Sequence, residues 1–392
     1  MNRWSSKVLG AGCLLLVALF LFYALSVLPL PVRAQTVTAT IPVGTAPIGV
    51  AVTPNGAYAY VTNNEGNTVS VINTATSTVT ATITGFNYPL GVAVTPDGAY
   101  AYVTNDVFSD GSVSVISTAT NTVTATITGF SNPTAVAVTP NGAYAYVTNS
   151  NGYANDSVSV INTATNTITA SIGLINPTGV AITPNGAYAY VVNDAHGLSV
   201  INTTTNTITA NVIGFSSYYS YGVAITPDGA SAYVANSGGN SVSVISTARN
   251  TVTATISTYF GPNIFGGASA PHDVAITPDG AYVYATNVAS GTVSVISTAT
   301  NTITVNITVG GEPNGVALTP NGEYAYVANA DSNTVSVIST SNPITSPVPT
   351  VSPTVSPSPS STIPEFPTWI ILPLFAVIML LSIVFARKRP LK

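Results

Sequence analysis

His272-Asp273 is the one place in this sequence where an imidazole and a carboxylate stand side by side. Such a pair can move a proton or hold a metal. Metal catalysis usually needs three protein ligands together, and the sequence names no two more to join His272; an enzyme would need convergent polar residues at the outward mouth, for which His272, Asp273 and Asn314 are the candidates. The other histidine, His196, sits in the loop "VVNDAHGLS" and reads as a solvated residue. Asp106, Asp110 and Asp156 could offer oxygen to calcium, but DVFSDG lacks the spacing of a calcium loop. The single cysteine, Cys13, lies in an apolar run, so no disulfide forms within the chain. There is no G-x-S-x-G elbow and no glycine-rich phosphate loop leading into a helix. These absences predict no catalytic residue, no cofactor and no metal ion.

Aromatic side chains are better supplied. GFSSYYSY (214–221) and STYFGPNIFGGASAPH (257–272) carry Phe215, Tyr218, Tyr219, Tyr221, Tyr259, Phe260 and Phe265. Rings on an exposed rim offer large rigid area at low entropic cost and suit sugars or a protein partner. The competing reading folds several of them inward to plug the structure. With His272 and Asp273 they form the candidate ligand set. Three sequons, at Asn155, Asn202 and Asn306, are glycan acceptors if the chain is exported.

Charge excludes one class of partner. Only 5% of the residues are charged. Between 36 and 342 there are 12 acids and one base, Arg249, about −11 in all. A nucleic-acid surface needs clustered Lys and Arg, and none is present.

The elements that must position these groups come from a repeat. TPNGAYAYVTN at 53 returns, with small changes, at 95, 139, 183, 226, 277 and 319, in steps of 42, 44, 44, 43, 51 and 42 residues. Periods of this length mean solenoids, arrays or propellers. Within 49–85 the order is GVAVTP, a turn, AYAYVTN, a loop, TVSVINT, a link and TVTATITG. These are four short runs rich in Val, Ile, Thr and Tyr between Gly/Asn/Asp turns, with no helical period. The first run is uniformly apolar, as for a strand buried on both faces; the last alternates Thr with Val, Ala and Ile, as for a strand wet on one face. Four strands graded from buried to half-wet predict a blade, and seven units predict an all-β, seven-bladed β-propeller. The seventh unit lacks its outer strand, and TVTATIPV (36–43) copies TVTATITG (78–85). Strand 36–43 is therefore predicted to join 334–340 and close the ring.

Seven units centred on "YVTN" resemble the YVTN family of β-propeller repeats found in archaeal surface-layer proteins and some bacterial secreted proteins. The resemblance covers about 305 residues. It implies fold and says little about activity, since Tyr58, Tyr60 and their equivalents read as packing residues.

Both ends read as addresses. Residues 1–34 join two bases, an apolar run and a V-x-A site, a signal peptide or an uncleaved signal anchor. The propeller occupies 35–342, and 343–363 is a Ser/Thr/Pro stalk that could extend roughly 65 Å at ~3.1 Å per residue. In 364–392, Pro364-Glu365-Phe366-Pro367 precedes an uncharged run long enough to span a bilayer and a basic tail. This order resembles the PEF-type C-terminal sorting signal of archaeal surface proteins. The resemblance implies recognition by an archaeosortase-like processing enzyme.

The sequence thus predicts a membrane-anchored propeller on the cell surface, facing outward. Its expected role is a structural or interaction module of the envelope, whose partners are envelope proteins or surface glycans and not nucleic acid. Two alternatives stand beside it: an extracellular propeller enzyme, lactonase-like or redox, using the axial mouth; and a small-ligand receptor using the aromatic loops.

Overall fold

The computed structural model describes residues 35–340 apart from 109, 151–155, 195, 216–219 and 260–268. Seven antiparallel four-stranded sheets are arranged as the blades of a propeller. Blade 1 runs Pro47–Val52, Tyr58–Asn63, Thr68–Asn73 and Thr78–Thr84, from axis to rim. Blade 7 takes Pro313–Leu318, Tyr324–Asn329 and Thr334–Ser339 from the end of the domain and Val37–Pro42 from its beginning. Thr40 pairs with Ser336 and Ile41 with Val335, so the expected closure is present in register.

The YVTN phrase explains itself residue by residue. In blade 1, Tyr60 is fully buried, and its hydroxyl donates to Asn121 Oδ1 of blade 2 at 2.7 Å. Val61 fills the core between blades 7 and 1, beside Val337. Thr62 Oγ1 receives the Gly49 N–H at 2.8 Å and donates to the Leu90 carbonyl of blade 2 at 2.7 Å. Asn63 Nδ2 donates to the hydroxyls of Thr68 and Ser70, both at 2.9 Å, pinning the second strand to the third. Each letter therefore satisfies a buried polar group or joins neighbouring blades, although Asn63 Oδ1 itself is buried without a partner among the described residues.

The turn before it is equally determined. Thr53 Oγ1 donates to Asn55 Oδ1 and receives the Tyr58 N–H. Gly56 turns the chain at φ +73°, a left-handed conformation that glycine adopts without cost. Asn and Asp alternate at the Asn55 position because both present an oxygen there: Asp97 and Asp228 accept the same pair of bonds.

Two expectations need correction. The innermost strand is not the most deeply buried: Pro47–Val52 is mostly half-buried, whereas Ala59–Asn63 is buried throughout. An open axial channel leaves the inner strands exposed along one side. The paired tyrosines also differ in role. Tyr60 and its equivalents pack, but Tyr58, Tyr100, Tyr144 and Tyr188 stay 37, 44, 38 and 38% exposed.

Among the described residues there is no α-helix, only a 3-10 turn at Val288–Ser290, and no helix long and apolar enough to cross a membrane. The segments expected to be a leader, a stalk and a sorting tail, the last with Pro364, Glu365, Phe366 and Pro367, lie outside the described residues.

Candidate functional site: the axial channel

Every blade places the residue five before its T-P turn at the axis. The seven are Ile48, Leu90, Thr134, Thr178, Tyr221, His272 and Asn314, and all line one channel of about 390 Å³. That volume lies within the ~300–1,000 Å³ of ligand clefts. Shell positions such as Tyr60 repeat around the ring; these do not. Blades 1 and 2 contribute branched aliphatics, blades 3 and 4 hydroxyls, and blades 5 to 7 a phenol, an imidazole and an amide.

The next residue is glycine in five blades, for a steric reason. A Cβ on Gly49 would stand 2.4 Å from the Leu90 carbonyl oxygen, and one on Gly179 would stand 1.9 Å from that of Tyr221. Blade 6 breaks this rule with Asp273, and the neighbouring Gly222 makes the space, since its own Cβ would lie 2.4 Å from Asp273 Oδ1. Asp273 Oδ1 accepts the Val274 N–H at 2.8 Å, and Oδ2 accepts the Val316 N–H of blade 7 at 3.0 Å. Its own N–H donates to Thr286 Oγ1 at 3.0 Å, and that hydroxyl donates to the Asn314 carbonyl at 2.6 Å. Asn314 Nδ2 is held by the Glu312 carbonyl at 3.0 Å.

His272 is stacked on Tyr221, with ring centroids 4.4 Å apart and planes 25° from parallel. Its Nδ1 is buried without a partner. Burial lowers the imidazole pKa to about 4, so the ring is neutral at pH 7. Burial also raises the Asp273 pKa to about 6, against the opposing pull of the two N–H donors. The channel thus holds one neutral imidazole, one carboxyl that titrates near neutrality and an amide, facing an aliphatic wall. It can hydrogen-bond a ligand that has an apolar side.

The structure brings together Tyr221, His272 and Asp273 from the predicted set with Asn314, which the sequence had set beside His272 and Asp273, and adds Thr134 and Thr178. It separates the others. Phe215 packs against the blade 4–5 core. It follows a glycine at the outer end of its blade as Phe86 and Phe130 do, and those two are buried. Tyr259 is exposed at 46%. Tyr218, Tyr219, Phe260 and Phe265 lie outside the described residues, as does Asn155. Asn202 Oδ1 receives the N–H groups of Thr204 and Thr205, and Asn306 Oδ1 receives the Ser294 hydroxyl; both are half-buried. His196 is exposed, its Nδ1 2.8 Å from the Asp194 carbonyl. Asp156 Oδ2 receives the Asn176 N–H at 2.9 Å, and burial raises the Asp106 pKa. No group of three or more His, Cys, Asp or Glu side chains fit for a metal occurs among the described residues.

Tyr221, Thr134 and Thr178 were legible in the sequence by one route: align the seven units on T-P and read the column five residues earlier. Read as a stretch, 214–221 puts Tyr221 among loop aromatics. Read as a column, it belongs with His272.

The family model of seven-bladed β-propeller lactonases matches residues 221–363. The match begins at the axial tyrosine and takes in His272, Asp273 and Asn314. A solved structure of Kuenenia stuttgartiensis hydrazine synthase is similar at TM-score 0.66 and 25% identity, over 75% of this chain and 96% of that chain. No curated protein matches the chain. The protein is a seven-bladed β-propeller with lactonase-like sequence in its last three blades.

Proposed function

We propose that this protein is an exported, envelope-tethered propeller that acts by binding, with its axial mouth as the ligand site. The observation that carries the reading is where the ends of the domain emerge. The Ser339 N–H donates to the Thr36 carbonyl at 2.9 Å, and the Thr340 N–H donates to the Glu323 carbonyl beside the last T-P-N-G turn. Both ends therefore leave on the turn face. The axial ring sits at the start of each inner strand, toward the opposite face. A tether at 343–363 would hold the turns toward the cell and present the mouth outward. The YVTN-like repeats, the leader-like start and the PEF-type tail support export and anchoring at a cell surface. The domain boundaries at 34, 342 and 363 belong to this reading.

Thiol labelling of intact cells tests it. Cysteine placed at Tyr259 should react with a membrane-impermeant maleimide faster than cysteine placed at Asn55. Equal labelling of both, or labelling of neither, contradicts the orientation.

A second reading, a lactone-hydrolysing enzyme, draws on the family match over blades 5 to 7. Against it, among the described residues no carboxylate or imidazole besides Asp273 and His272 lines the channel, and two backbone N–H groups hold the Asp273 carboxyl in place. Turnover of a sugar lactone that disappears in His272→Ala would favour the enzyme; no turnover above the buffer rate favours binding.

A further inference from the structure

The turn face carries a second, repeated feature that neither the axial channel nor the tether uses. Between blades 4 and 5 a cleft of about 250 Å³ opens, and between blades 5 and 6 one of about 240 Å³ lies in the equivalent place. Tyr188 lines the first, 38% exposed, whereas Ser231 stands at that place in the second. At its floor the Tyr190 hydroxyl is fixed by Asn250 Oδ1 at 2.7 Å. Asn185 uses only Oδ1 in its turn, receiving the Thr183 hydroxyl and the Ala187 N–H. Asp228, across the cleft, commits Oδ1 to Thr226 and Ala230 in the same way. An amide donor at Asn185 Nδ2 and a carboxylate acceptor at Asp228 Oδ2 are left beside the tyrosine.

We propose that the inter-blade clefts that carry this tyrosine bind the rings of a neutral polysaccharide, one sugar ring to a cleft. A tyrosine face packs against the C–H face of a pyranose, and the amide and carboxylate take its hydroxyls. The clefts are smaller than the ~300 Å³ at which ligand pockets usually begin, the scale of a single ring. Charge selects against other polymers: Arg249 is the only base between 36 and 342, so nothing on this face pairs with phosphate or sulfate. The tyrosine recurs at 58, 100, 144, 188, 282 and 324, and blade 5 has Ser231 instead. Weak sites repeated on one face gain by avidity, about 10²–10⁴-fold for linked modules. A repeated sugar polymer is the partner that a repeated face fits. The inference does not depend on the axial site or the tether.

The test passes the full-length protein over agarose columns bearing glucose, galactose, mannose or N-acetylglucosamine, with phosphatidylcholine vesicles as a separate arm. We expect retention on at least one sugar column and elution by the free sugar. Replacing all six tyrosines by Ser should abolish retention, and Ser231 shows that a blade accepts serine there. Tyr188→Ser alone should shorten retention measurably. On the wild-type protein, the retaining sugar should slow nitration of Tyr58, Tyr100, Tyr144 and Tyr188, which keeps the test independent of variant folding. Absence of retention on all four columns overturns the proposal. So does retention that survives the six substitutions in a folded variant, or co-sedimentation with vesicles without sugar retention.

Discussion

The second strands and the first strands of this propeller follow opposite rules. In the second strands, seven copies keep nearly one sequence, and each side chain has a fixed role. Tyr60 reaches the next blade, Thr62 bridges to its inner strand, and Asn63 ties down the third strand. At the head of the first strands, no two adjacent blades present the same side chain except blades 3 and 4, with Thr134 and Thr178. Repetition marks what holds the ring, because every blade meets the same neighbour in the same way. Divergence marks what the ring faces inward, where no neighbour dictates the choice.

The repeat also shows its dependence on closure. Six buried tyrosines find a hydroxyl partner in the following blade, five on an asparagine and Tyr326 on the Thr74 carbonyl at 3.5 Å. Tyr326 differs because blade 1 has Ser77 where the other turns have asparagine. Tyr284 has no partner among the described residues. In the other blades the partner comes from the turn joining the third and outer strands of the next blade, and in blade 7 no such turn joins the two, since the outer strand is Val37–Pro42 from the start of the domain.

Four experiments probe this contrast, in decreasing order of expected consequence. Deleting 36–42 should abolish cooperative unfolding and protease resistance, because it strips the cover from Val335 and Val337 and leaves the third strand of blade 7 as an open edge. A deletion variant as resistant as the full chain would refute the closure account. Tyr60→Ala should cost about 3–5 kcal/mol, as large-to-small changes at buried aromatics do, read as the denaturant midpoint. Tyr60→Phe should cost about 1 kcal/mol for its lost hydrogen bond, whereas Tyr284→Phe should be neutral or stabilising; equal costs for the two would contradict the missing-turn explanation.

The fourth concerns pH. Asp273 binds its proton more tightly folded than unfolded, so its contribution to stability falls as pH rises from about 4 to about 6. His272 binds its proton less tightly folded, so its contribution rises over the window from about 4 to 6.5. The two slopes oppose each other, and the wild-type thermal midpoint should change little across that window. His272→Gln should leave a midpoint that falls with pH, and Asp273→Asn one that rises. Parallel curves for both variants would show that neither group titrates as its burial demands.

The fold was legible because the repeat multiplies a weak signal sevenfold: four strands read once are ambiguous, but a phrase recurring every 42 to 51 residues is not. Strand 36–43 was legible because it copies 78–85. The depth of the inner strands was misread because a uniformly apolar run looks the same whether it faces a core or a narrow channel. His272-Asp273 stood out as the one adjacent imidazole and carboxylate in the sequence. The stacking of His272 on Tyr221 was not legible, since the two are 51 residues apart and meet only through the spacing of adjacent blades. The exposure of Tyr58 against the burial of Tyr60 follows from position at the strand end, which pattern alone does not reveal.

The central claim, that shared residues hold the ring while the axial residues face a ligand, has one direct test. Tyr221, His272, Asp273 and Asn314 can all be replaced by what blade 4 carries at those places, Thr at the first position and Gly at the second, and thermal unfolding measured at pH 7. The account predicts one cooperative transition at the same or a higher temperature, since a partnerless imidazole nitrogen and a half-buried carboxylate leave the channel. A transition several degrees lower, or loss of cooperativity, would contradict it and assign the axial residues to the scaffold.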